Sequence, residues 1–131
     1  MGLDMYVHST DVDNLVNPDQ QADLELHNSD SSEEFHYWRK FNALHGWMED
    51  LYRRKGGIDP EFNCNSVRLD LEDIHQLEQD MLNDKLTPVQ GFFFGSQEIY
   101  PEDIESLKVF IKEAQIELED ATKVLYYTSW W

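Results

Sequence analysis

The chain has 131 residues, 40% of them hydrophobic, with four Trp, six Tyr and seven Phe, enough apolar material for one self-supporting domain over residues 1–131. Ten Lys and Arg against 27 Asp and Glu leave a formal charge of −17, which repels phosphate backbones and anionic lipid alike. Direct nucleic-acid binding and membrane attachment are therefore not expected, and a charged partner should be basic. The single Cys64 rules out an intramolecular disulfide, and a reducing, cytoplasmic setting (the host cytoplasm, if the chain is phage-encoded) is the expectation. The opening MGLDMYVHSTDVD has neither a basic nor a long apolar stretch, so no signal peptide is expected, and no later run approaches the roughly 18 apolar residues of a membrane span.

Leu3, Met5 and Val7 alternate with Asp4, Tyr6 and His8, the pattern of a half-buried strand. Asn and Asp around Pro18 make a turn, and Leu24 and Leu26 alternate again in ADLELH, so the two runs could pair as a long-looped hairpin. Ser31 and Glu34 fit a capping box, and a first long helix is expected from about Ser32 to Lys55. Gly56 and Gly57 end it, with Arg53, Arg54 and Lys55 complementing the negative end of its dipole. A second helix follows Asp70 as N-cap, with Asp73 three residues on and Leu69 and Ile74 as a hydrophobic staple. Its apolar face is Leu71, Ile74, Leu77 and Met81, and it breaks by Pro88.

Gly91 and Gly95 bracket three Phe, which suggests a short strand or packed turn. Pro101 opens a third helix whose apolar positions run from Ile104 through Leu107, Phe110, Ile111, Ala114, Leu118 and Ala121 to Leu125. Glu102, Glu113, Glu117 and Asp120 collect on the other side as an acidic stripe. VLYYTSWW has strand character and could lie beside the first strand. The class is α+β, with two to three helices on a small, mainly antiparallel sheet.

On the first helix, Tyr37, Phe41, Leu44, Met48, Leu51 and Tyr52 share one side at about 100° per residue. Trp38, Asn42 and His45 follow as a border stripe, with Trp47 on the other border. Imidazole exchanges protons near neutral pH, an amide donates and accepts, and an indole offers a stacking face, so this stripe is the candidate site for a small polar ligand or a peptide. The bland alternative is that Asn42 and His45 satisfy nearby backbone while Trp38 fills the core edge. His36 and His45 are nine residues apart and cannot share a metal on one helix; no metal or cofactor is expected, because no HExxH, CxxC, P-loop or GxSxG pattern occurs. For Cys64 a buried inert thiol is the expectation.

MGLDMY at 1–6, YWRKFNALHGWM at 37–48, Cys64 and TPVQGFFFGS at 87–96 before an acidic helix together resemble a family of small phage and prophage proteins. Members open with MGLDMY, carry a YWRK.N..H.W segment and have an LLPTQSGFFFG-like stretch; here Phe41 stands where Ala is common and Val89 where a polar residue occurs. The resemblance implies a phage setting rather than a reaction, and carries over Asp4, Trp38, Arg39, Lys40, Asn42, His45, Trp47, Phe93 and Gly95. Two functions are open. One is an acidic phage-type protein that binds and inhibits a basic host or defence protein, in one version as a nucleic-acid mimic using the Glu113, Glu117 and Asp120 row. The other is a small-molecule or nucleotide-binding protein, or a modest enzyme, using Trp38, Asn42 and His45 with Arg39 or Asp4. A third, structural role would make the unusual helix a dimer seam. Because no catalytic set is complete, binding is favoured over catalysis.

Overall fold

A computed structural model describes residues 2–86 and 98–131. Its order is β1 (Asp4–Asp11), β2 (Glu33–Arg39), α1 (Asn42–Arg54), β3 (Ser66–Leu69), α2 (Leu71–Leu82), α3 (Pro101–Glu117) and β4 (Lys123–Trp130). The four strands form one antiparallel sheet in the order β2-β1-β4-β3, so the class is α+β as expected. The expected segment between Gly91 and Gly95, with Pro88 and Phe93, lies outside the described residues. No described helix is long and apolar enough to cross a membrane.

β1 and β4 pair over eight positions, from Asp4 opposite Trp130 to Asp11 opposite Lys123. Alternation along both strands then sorts side chains by face. Met5 and Val7 point to the helices with Leu125 and Tyr127, and all four are buried in the core. Leu44, Met48 and Leu51 of α1, Ile74 and Leu77 of α2, and Leu107, Phe110, Ile111 and Ala114 of α3 complete that core. Each fully buried aliphatic side chain of this kind is worth about 1.5–3 kcal/mol of transfer free energy.

Several expectations need correction. The stretch read as the start of a long helix is the strand β2, a turn at Lys40 (φ 57°) and only then α1. Phe35, Tyr37 and Trp38 suit a pleated surface, and pairing with β1 gives the backbone of residues 33–39 its hydrogen bonds. The amide of Lys40 donates to the carbonyl of Leu3 (2.8 Å), holding the left-handed residue at the corner. The Ser31–Glu34 capping box does not form; Ser29–Ser31 is a short 3-10 turn capped by the Asn28 side chain, which accepts from the amide of Asp30 at 3.0 Å.

ADLELH likewise does not pair as a strand with the N-terminal run. It makes isolated bridges, Leu15 to Leu26 and Ala22 to Val67, and the second lays residues 21–23 along the outer edge of β3. The third helix stops at Glu117, well short of Leu125. Asp120 accepts from both the amide (2.9 Å) and the hydroxyl (2.7 Å) of Thr122, a local turn that competes with helix, and Val124 and Leu125 are taken by β4.

Other boundaries fall where local chemistry put them. The amide of Asp70 donates to the Asp73 carboxylate (2.8 Å) at the start of α2, and Leu69 and Ile74 are both buried. Leu71, expected on the apolar face, is exposed. Lys55, just past α1, places its ammonium between the Asp70 and Asp73 carboxylates (3.3 and 2.5 Å) and so ties the end of α1 to the start of α2.

At the end of α1, Gly56 has φ 98° and the amide of Gly57 donates to the carbonyl of Tyr52 (2.8 Å). A Cβ on Gly57 would lie 2.3 Å from the Tyr52 ring, which is anchored by its hydroxyl to Asp23 (2.6 Å). Gly57→Ala is therefore expected to cost about 2–3 kcal/mol by overpacking. Gly56→Ala, which meets no atom within 4 Å, should cost only about 1 kcal/mol through its backbone conformation. Urea unfolding of the two variants checks the order, and equal losses would mean that the Tyr52 ring is free to move.

Candidate functional site

The sheet separates the residues expected to act together. Trp38 lies on β2 opposite Met5, with its indole on the helix side, 5% exposed. Its ring stands edge-on to Phe110 (5.0 Å, 79°) and 4.3 Å from His36, and its Nε1 has no hydrogen-bond partner among the described residues. Asn42 is the first residue of α1 and His45 lies one turn on, 3% and 6% exposed. Trp38 is thus not part of a helical stripe with them. Trp47 donates its indole N–H to Asp80 Oδ2 (2.8 Å), a tie between α1 and α2.

His45 Nδ1 is 2.8 Å from the Tyr127 hydroxyl, and its ring lies 5.2 Å from that of Phe62. Burial lowers the His45 pKa to about 4 and pushes the Tyr127 phenol well above its ordinary value. Both groups are neutral at pH 7, and a single hydrogen bond joins Nδ1 to the phenol oxygen. Such a histidine is a poor proton carrier at neutral pH and a good spacer between α1 and β4. Among the described residues no three His, Cys, Asp or Glu side chains are placed to hold a metal ion. Cys64, expected to be buried, is exposed: it sits in a left-handed turn (φ 65°) with its amide donating to the Ser129 carbonyl (2.8 Å).

Asp4 and Arg39, by contrast, belong to the other face of the sheet. The register places Arg39, Asp4 and Trp130 in one row across β2, β1 and β4, and Tyr37, Tyr6 and Thr128 in the next. A third row holds His8 beside Tyr126, whose rings stack at 5.5 Å. The third row and the strand ends beyond it are closed in. The Ser32 hydroxyl meets the Tyr126 hydroxyl at 2.5 Å, and Leu15, Val124 and Tyr126 are buried apart from the main core. Desolvation there lowers the pKa of His8.

The first two rows stay open. Tyr37 is 42% and Trp130 64% exposed, and the rings of Tyr6 and Tyr37 lie 5.2 Å apart. The Tyr37 hydroxyl donates to Asp4 Oδ1 (2.5 Å), a bond that raises the phenol pKa. A cavity of about 270 Å³ lies at the end of this face, lined by Gly2, Asp4, Trp130 and Trp131. Trp131 is fixed there: its amide donates to Asn63 Oδ1 (3.0 Å) and its indole N–H to the Phe62 carbonyl (2.9 Å). Tyr6, Tyr37, Trp130 and Trp131 were not among the residues the sequence singled out as a site. Alternation over residues 3–8 already put Tyr6 off the core, but Trp130 becomes its neighbour only through the β1–β4 register.

The acidic stripe comes apart. Glu102 and Glu113 are exposed on α3, whereas Glu117 accepts a hydrogen bond from the Ser9 hydroxyl (2.7 Å) and Asp120 lies beyond the helix. No protein-family model, curated protein or solved structure matches the chain.

The sign of the His45 titration gives a test. Its pKa is 6.5 when unfolded and about 4 when folded, so between these values the unfolded chain binds the extra proton. The contribution is complete above pH 6.5 and is lost as pH falls towards 4, by about 3 kcal/mol at most. Denaturant unfolding of wild type and His45→Gln at several pH values should show a shallower acid loss in the variant. Identical slopes would mean that folding does not lower the His45 pKa.

Proposed function

We propose that this chain is a non-enzymatic acidic binding protein that docks a basic partner protein on the open face of its sheet. In the phage setting implied by its motifs, it would act by occupying and inhibiting a host or defence protein. The observation that carries this reading is the pair of open rows, where Tyr37, Tyr6 and Trp130 stand on rigid paired strands at the surface. Tyr and Trp are the residue types that most often dominate binding energy, because they supply a large contact area with few torsions to freeze. A charge of −17 adds long-range attraction for a basic surface, which speeds encounter and disfavours acidic competitors.

The nucleic-acid-mimic version draws less support. Its carboxylate row would need Glu113, Glu117 and Asp120 together on one helix, and only Glu113 is an exposed helical position. The docking version does not need that row. The ligand-binding alternative at Trp38, Asn42 and His45 would require three buried side chains to open towards solvent.

Capture by the tagged chain from host lysate, run in parallel with a Tyr37→Ala, Trp130→Ala double variant, tests the reading. Wild type should retain a protein of strongly positive net charge and release it as salt rises from about 0.1 to 0.5 M, while the variant retains at least about tenfold less. Retention that is equal in the variant, or indifferent to salt, would contradict the proposal.

A further inference from the structure

We propose that the cavity between Gly2, Asp4, Trp130 and Trp131 is an arginine pocket, the anchor point for one guanidinium side chain of the basic partner; this rests on the docking reading above. Two indoles and a carboxylate surround about 270 Å³, room for the end of a long side chain but not for a folded element. Asp4 is opposite Trp130 across β1 and β4, so the carboxylate and the exposed indole stand side by side on paired strands. The Tyr37 hydroxyl holds Oδ1 at 2.5 Å and thereby orients the carboxylate. No ion pair among the described residues involves Asp4, although Arg39 is its register neighbour on β2. A positioned carboxylate that forms no ion pair among the described residues, next to an indole, is the complement of a planar cation.

Arginine fits better than lysine on geometry. Its guanidinium lies flat on an indole while its N–H groups fork onto a carboxylate, whereas an ammonium is a compact point charge that gives up more hydration. Trp131 forms the other wall and is held by Asn63 and Phe62, so that wall exists before the ligand arrives and less freedom is lost on binding. The competing charges are Arg39 and Lys40, whose side chains come within 3.2 and 3.3 Å of a Cβ built on Gly2. They could draw an anion to the same corner, and the test must separate the two outcomes.

The experiment is an NMR titration of the full-length ¹⁵N-labelled chain, following the indole N–H signals of Trp130 and Trp131. The probes are a capped Gly-Gly-Arg-Gly-Gly peptide, its neutral citrulline isostere, the lysine counterpart and inorganic phosphate. Saturable shifts with the arginine peptide are expected, with citrulline at least about tenfold weaker and lysine about threefold weaker. Asp4→Asn and Trp130→Ala should each weaken the arginine response at least about fivefold while signals from core residues stay in place. Equal binding of arginine and citrulline, an unchanged response in Asp4→Asn, or a stronger response to phosphate would overturn the pocket. Arginine binding with no basic protein captured from lysate would leave the pocket standing and remove the docking reading. Capture of a basic protein with no arginine response would do the reverse.

Discussion

The pairing of β1 with β4 is the constraint on which the rest of this molecule depends. It joins residues 4–11 to residues 123–130, and the rows that cross the sheet all run through it. Once the register is set, each residue of the two strands is assigned to the helix side or the open side, and a shift by one position would exchange them. Met5, Val7, Leu125 and Tyr127 then carry the packing, while Asp4, Tyr6 and Trp130 are left at the surface. Core and candidate site are therefore two outcomes of one pairing.

That division explains the unusual aromatic content. Trp38, Phe110, Phe62 and Tyr127 are spent inside, in contacts between the sheet and helices α1 and α3 or around His45. Tyr126 and His8 close the covered part of the other face. Tyr37 and Trp130 are left exposed beside a half-buried Tyr6, and side chains this large at the surface of paired strands represent apolar area available for a partner. The polar side chains first suspected of function follow the same rule: Asn42 and His45 are in the interior, and Asp4 and Arg39 are outside.

Elements with local signals were legible in the sequence. The start of α2 is marked by Asp70 and Asp73, the start of α3 by Pro101 and the end of α1 by Gly56 and Gly57, because caps and stops act over three or four residues. β2 was not legible. Tyr37, Phe41 and Leu44 satisfy a helical period across a boundary that only the pairing of Glu33–Arg39 with β1 creates, and that pairing is not written within the segment. The strand character of residues 3–8 and 124–131 was readable, and so was their adjacency, but the match of Asp4 with Trp130 required the register. The candidate site was legible only in part for the same reason: Asp4 and Arg39 stood out through the family resemblance, and their aromatic neighbours come from strands remote in sequence.

On the proposed docking, the partner covers the open rows of the sheet and not the helical side. Hydroxyl-radical footprinting of the chain, free and bound to its captured partner, reads this directly from side-chain oxidation. Tyr6, Tyr37 and Trp130 should be protected in the complex, with Leu82, Val109 and Ile116, exposed on α2 and α3, oxidised as in the free chain. Protection of those three helical residues, with Tyr37 and Trp130 still reactive, would contradict it.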